Sequence, residues 1–146
     1  MKGDRPGGPI RWRMHIPAPP EDVFRMLDSD GGRAAFWAES AIERDGSIEF
    51  HFANGFQYCG KVLERRAPAR FAIEYFGGRV TFDLEADANG GTDLLLTHDG
   101  VPPEEWQEVH AGWLNVLFPL KAWAGFRIDL RNHDSGRTWD DGYADG

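Results

Sequence analysis

Five histidines, three tyrosines and one cysteine are the side chains of this 146-residue chain best suited to proton transfer, nucleophilic attack or metal binding. No His-Glu-x-x-His or Cys-x-x-Cys occurs. His15, His51, His98, His110 and His133 do not fall at metal-ligand spacing, so no metal is expected. A Gly-x-Ser-x-Gly elbow, a P-loop and a Gly-x-Gly-x-x-Gly turn after a strand are also missing, and no cofactor is expected. Cys59 lies inside a strand-like run, where a single thiol reads as a small buried hydrophobe rather than a nucleophile.

His98 is the histidine whose neighbours give it meaning. It shares strand parity with Leu94 and Leu96, which places it on an inward face near the start of a long helix. There it reads as a hydrogen-bonded structural group, or as a polar anchor or general base at a pocket mouth. Asp99 would cooperate with it only if the strand had already ended, because adjacent strand residues face opposite ways. Tyr58 and Tyr75 share the inward parity, and each hydroxyl needs a partner if buried. No residue is assigned a catalytic role, and an enzyme is the less favoured reading.

The elements that position these groups follow from periodicity. Ile10 to Ile16 alternates apolar and polar residues, as a half-buried strand does, and Pro17-Ala-Pro-Pro20 ends it. Pro20 to Leu27 is an amphipathic helix with acids in its first turn, stopped by Asp28-Ser-Asp-Gly-Gly32. A short helical segment, 33–37, follows. Strand-like runs then cover 47–52, 56–64, 71–76, 79–85 and 92–98, separated by Asn54-Gly55, Gly77-Gly78 and Asn89-Gly90-Gly91. Loops this short join antiparallel neighbours, so the runs form a meander.

After Gly100 the period lengthens. Pro102-Pro-Glu-Glu105 opens a helix, and Trp106, Val109, Trp113, Leu117, Leu120 and Ala124 form one apolar stripe. Pro119 predicts a kink there, or two abutting helices. The domain is expected over 10–131, with a flexible lead at 1–9 and an acidic surface extension at 132–146. Trp139 and Tyr143 are apolar for such a tail, and a homodimer contact is one use for them.

Composition narrows the partners. The net charge of −8 repels a polyanion, so no nucleic acid is expected. No apolar run is long enough to span a membrane, and no membrane partner is expected. One cysteine cannot form an internal disulfide, and no signal-peptide pattern is present; both point to the cytoplasm. Six tryptophans and ten phenylalanines mean either an unusually aromatic core or a ring-lined cavity.

Several short stretches, taken in order, carry a family resemblance. They are Pro17-Ala-Pro-Pro-Glu-Asp-Val-Phe24, Phe36-Trp37, Tyr58-Cys-Gly60 with Glu64 and Pro68, and Gly91-Thr92 with Leu94, Leu96 and His98. Gly112-Trp113 with Leu117 and Leu120 completes the series. The chain resembles the START-related superfamily, often labelled SRPBCC. Within it, the chain is most similar to the family named for the activator of the heat-shock-protein-ninety ATPase. The resemblance implies an α+β helix-grip fold: a seven-stranded curved antiparallel sheet wrapped around a long C-terminal helix, with two short helices after strand 1. It also implies a range of roles, among them lipid carriers, polyketide cyclases, hormone receptors and co-chaperone domains.

In such a fold the concave sheet face and the long helix enclose a space. Phe50, Tyr58, Tyr75, Phe82 and His98 are the candidate ligand contacts from the sheet. Trp106, Trp113 and Leu117 are those from the long helix, with Trp37 from the second short helix. Trp37 and Trp106 would close the mouth, and Gly60 would leave space at one end. The expected ligand is a small hydrophobic or aromatic molecule, held by a carrier or sensor. The alternatives are a polyketide-cyclase-like enzyme working through His98 with Tyr58 or Tyr75, and a co-chaperone-like interaction domain.

Overall fold

A computed structural model describes residues 5–146. Residues 1–4 of the expected N-terminal lead lie outside the described residues. The remainder of the lead is tied down, because the Trp106 indole donates to the Gly8 carbonyl (2.8 Å).

Strand β1 (Ile10–Ile16) is followed by helices α1 (Pro20–Leu27) and α2 (Asp30–Phe36). Six strands come next: β2 (Ser40–Arg44), β3 (Ser47–His51), β4 (Gln57–Arg66), β5 (Arg70–Tyr75), β6 (Gly78–Ala86) and β7 (Thr92–Asp99). Helices α3 (Trp106–Gly112) and α4 (Leu114–Phe126) complete the domain, and a single 3-10 turn (Trp139–Asp141) lies in the tail. All seven strands form one antiparallel sheet in the order β1-β7-β6-β5-β4-β3-β2. A register shift between Val62 and Glu64 marks an irregularity in β4, of the kind that bends a strand and raises its twist. This is the helix-grip architecture.

Alternation sets the core. Ile48 and Phe50 on β3, Phe71 and Ile73 on β5, and Val80 and Phe82 on β6 are fully buried on the helix side. Cross-strand register stacks them in layers: Phe71 opposes Phe82, which opposes Leu96, which opposes Trp12. Leu117 and Leu120 of α4 close the layer from above with no exposure. Burial of so many large side chains is the main favourable term in folding.

Several local expectations change. Helix α2 begins at Asp30, inside the segment read as a stop, because the Ser29 hydroxyl caps it by accepting from the Gly32 amide (3.0 Å). Strand β2 corresponds to none of the strand-like runs in the sequence. It is a short edge strand with only Ala41 buried and Ile42 turned outward, so its alternation carries little signal. The break in the long helix falls at Trp113, and Pro119 lies inside α4 without ending it. Cys59 is exposed, since it faces away from the inward pair Tyr58 and Gly60.

Gly60 leaves no space. A Cβ built there would lie 2.1 Å from the Glu74 carbonyl oxygen, so the glycine permits close approach of two backbones.

Candidate functional site

Trp37 is the C-cap residue of α2, and its ring sits at the centre of the aromatic core. Ring centroids lie 5.0 Å from Phe50, 5.5 Å from Tyr75 and Phe82, and 6.0 Å from Trp113. Its indole N–H donates to the Tyr75 hydroxyl (3.1 Å), which satisfies a polar atom that burial would otherwise penalise. Burial pushes the Tyr75 phenol well above its ordinary pKa, so it stays protonated.

The environment of His98 fixes its tautomer. The Trp113 indole can only donate, and it points at Nδ1 (3.0 Å). The Tyr75 carbonyl can only accept, and it faces Nε2 (3.0 Å). The proton therefore sits on Nε2, and both nitrogens are engaged. His98 is 0% exposed, and burial pulls its pKa below the usual imidazole value. Strand β7 runs through Asp99, so the carboxylate next in sequence is exposed on the other face.

The sequence candidates therefore divide three ways. Phe50, Phe82, His98 and Leu117 are fully buried side chains of a filled core. Tyr58 and Trp106 do not line the cavity that the remaining candidates share. Tyr58 stacks on Phe76 (4.3 Å), and its hydroxyl donates to the Glu74 carboxylate (3.3 Å). Trp106 stacks on His110 (4.6 Å), which stacks on Trp12 (4.5 Å), so it anchors the N-terminal segment rather than closing a mouth. Trp37, Tyr75 and Trp113 do come together, as the floor of a cavity of about 440 Å³.

Segments distant in sequence make the walls. The turn after β3 supplies Phe52, Asn54 and Phe56, and the β5–β6 turn supplies Phe76. Phe76 has φ +46, a left-handed backbone that a bulky residue rarely adopts, and this turn carries its ring to the cavity. Glu108, Val109 and Gly112 come from α3, and Asn115 and Val116 from α4. The remaining wall is the tail: Arg131, His133, Thr138, Trp139, Asp140 and Gly146.

The tail is docked by hydrogen bonds. Arg131 donates to the Ala38 (2.9 Å) and Ala34 (2.8 Å) carbonyls at the end of α2, where helical carbonyls lack partners. Asn54 donates to Asp140 (2.8 Å), and Asn115 to the Gly146 carbonyl (2.9 Å). His133 bridges Glu39 (2.9 Å) and Asp129 (2.6 Å), and these two carboxylates hold its pKa above the usual imidazole value. Sequence reasoning missed every tail residue in the wall. The legible signal was local: Thr138 and Asp141 form a capping box, and Asn132 and Asp134 make side-chain turns.

Among the described residues, no group of three or more histidine, cysteine or acidic side chains is arranged to hold a metal ion. None of the described helices is long and apolar enough to cross a membrane.

A curved antiparallel sheet gripping a C-terminal helix, with a ring-floored cavity at one end, defines a protein of the START-related SRPBCC class. Within that class the chain belongs to the Activator of Hsp90 ATPase homolog 1-like family, whose model matches residues 17–125. It is similar in structure to a protein from Staphylococcus saprophyticus, at 19% identity and TM-score 0.74, over 84% of this chain and 96% of that one. The Aha1 dimer from Colwellia psychrerythraea gives 22% identity and TM-score 0.73, over 82% and 97%. DynU16, from the dynemicin biosynthetic locus, gives 20% identity and TM-score 0.69, over 81% of this chain and 47% of that one. No curated protein matches the chain in sequence.

Proposed function

We propose that the chain is a binding protein for a small hydrophobic or aromatic molecule, held in the ring-floored cavity at the tail end of α3 and α4. The observation that carries this reading is the cavity itself: about 440 Å³, floored by Trp37, Tyr75 and Trp113 and rimmed by polar groups. Sites for small molecules are built this way. The interlocked hydrogen bonds from Trp37 to Tyr75 and from Trp113 to His98 hold the floor rigid, so little ordering cost falls on binding.

A carrier or sensor is favoured over a cyclase-like enzyme because His98 has both nitrogens engaged in the core and lies outside the cavity lining. The exposed Cys59 thiol supports a reducing compartment such as the cytoplasm.

Titration with N-phenyl-1-naphthylamine, a neutral apolar fluorophore, tests the reading. Val116→Trp, which places an indole in the cavity, is expected to abolish the fluorescence enhancement without lowering the Tm. Equal enhancement in the parent and the filled variant would move binding elsewhere and overturn the assignment.

A further inference from the structure

The cavity wall is aromatic at depth and acidic at its rim. Ring faces carry partial negative charge. Glu39, Glu108 and Asp140 add three carboxylates to the lining, against Arg131 and His133. Both basic groups are occupied within the protein. Arg131 is 8% exposed at its side chain and donates to the carbonyls of Ala34 and Ala38 and to Asp129. His133 lies between Glu39 and Asp129.

The acids are not all balanced in this way. Glu108 is exposed on α3 and makes no hydrogen bond or ion pair among the described residues. Asp140 accepts from a neutral amide, Asn54. A ligand at the rim therefore meets uncompensated negative charge, in a protein whose own net charge is −8.

We infer that the pocket selects organic cations: molecules with an apolar or aromatic body that lies against Trp37, Tyr75 and Trp113, and a protonated amine or quaternary ammonium at the Glu108–Asp140 rim. This rests on the reading of the cavity as a ligand site. Burial of the apolar body against the rings supplies affinity, and Coulomb attraction at the rim supplies the preference for the cation. A carboxylate of the same size would meet repulsion there.

Three indoles of nearly equal shape and different charge provide the test: tryptamine (cation), tryptophol (neutral) and indole-3-acetate (anion), titrated by calorimetry at low salt. The expected order is tryptamine, then tryptophol, then indole-3-acetate, with the first step about five- to tenfold in affinity. Glu108→Gln should shrink that step, and raising the salt should shrink it further. If all three bind equally, or the anion binds best, the cation inference falls and the binding reading stands. If none binds, both fall. A tryptamine preference untouched by Glu108→Gln and by Asp140→Asn would overturn the role given to the rim.

Discussion

At the scale of single residues, His133 is the most informative side chain of the tail. Its ring nitrogens face Glu39 and Asp129, which raise its pKa, while partial desolvation and the nearby Arg131 act the other way. The net direction is upward from the ordinary value of 6.5. A raised folded-state pKa means the protonated form is favoured by folding, so its contribution is complete below the unfolded value and lost as pH climbs through the folded one. The Tm difference between the parent and His133→Gln is therefore expected to be larger at mildly acidic pH than at mildly alkaline pH. A difference that stays constant with pH would refute the bridge. His98 behaves in the opposite manner: burial lowers its pKa, and it is neutral where His133 is charged. The sequence placed His98 on the right face and at the right strand end, because alternation carries that information. It could not show which partners saturate the ring, since Tyr75 and Trp113 arrive from two other elements.

At the scale of elements, alternation and the three-to-four stripe read most of the strands and the long helix directly from the sequence. Their limits have physical causes. Strand β2 presents Ala41 inward and Ile42 outward, so its hydrophobicity opposes its orientation. Helix α2 contains two glycines and gains much of its order from Arg33, fully buried, which donates to the Ala41 carbonyl (3.0 Å) and the Leu27 carbonyl (3.0 Å) and pairs with Asp30 (2.5 Å). No propensity scale counts such ties. Strand β4 gives the sharpest case, because a glycine legible as empty space marks the closest approach to β5. Gly60→Ala would drive a methyl group into the Glu74 carbonyl, and backbone cannot swing aside as a side chain can. A loss of about 3 kcal/mol in urea unfolding is expected, at the upper end for overpacking. Cys59→Ser, next in the chain but facing solvent, should leave stability nearly unchanged. Equal stability of the two variants would show that β4 and β5 separate more easily than their spacing implies.

At the scale of the whole molecule, the cavity is a product of docking rather than of any one segment. Its floor comes from α2, β5 and the junction of α3 with α4, and its outer wall from a tail about ninety residues beyond the α2 carbonyls that receive it. A pattern with a period of two or four residues has no means of reporting such a meeting. The same scale governs self-association. Helix α4 is apolar around nearly its whole circumference, with Lys121 its only charge. A helix of that kind expects cover on every side. The sheet covers Leu117 and Leu120, yet Phe118, Phe126, Ile128 and Leu130 remain about half exposed. The expected cover is a second copy, in a two-fold arrangement where each α4 region meets its counterpart. Light scattering is expected to give a dimer mass for the parent and a monomer mass for Phe126→Glu, because a buried unpaired carboxylate at the contact costs more than the contact returns. Since the rim acids and the tail lie on the cavity side, the monomeric variant should keep its affinity for N-phenyl-1-naphthylamine. A monomer mass for the parent at all concentrations would leave α4 uncovered and refute the dimer. A dimeric Phe126→Glu would place the contact elsewhere, with Trp139 and Tyr143 of the tail as the next residues to substitute.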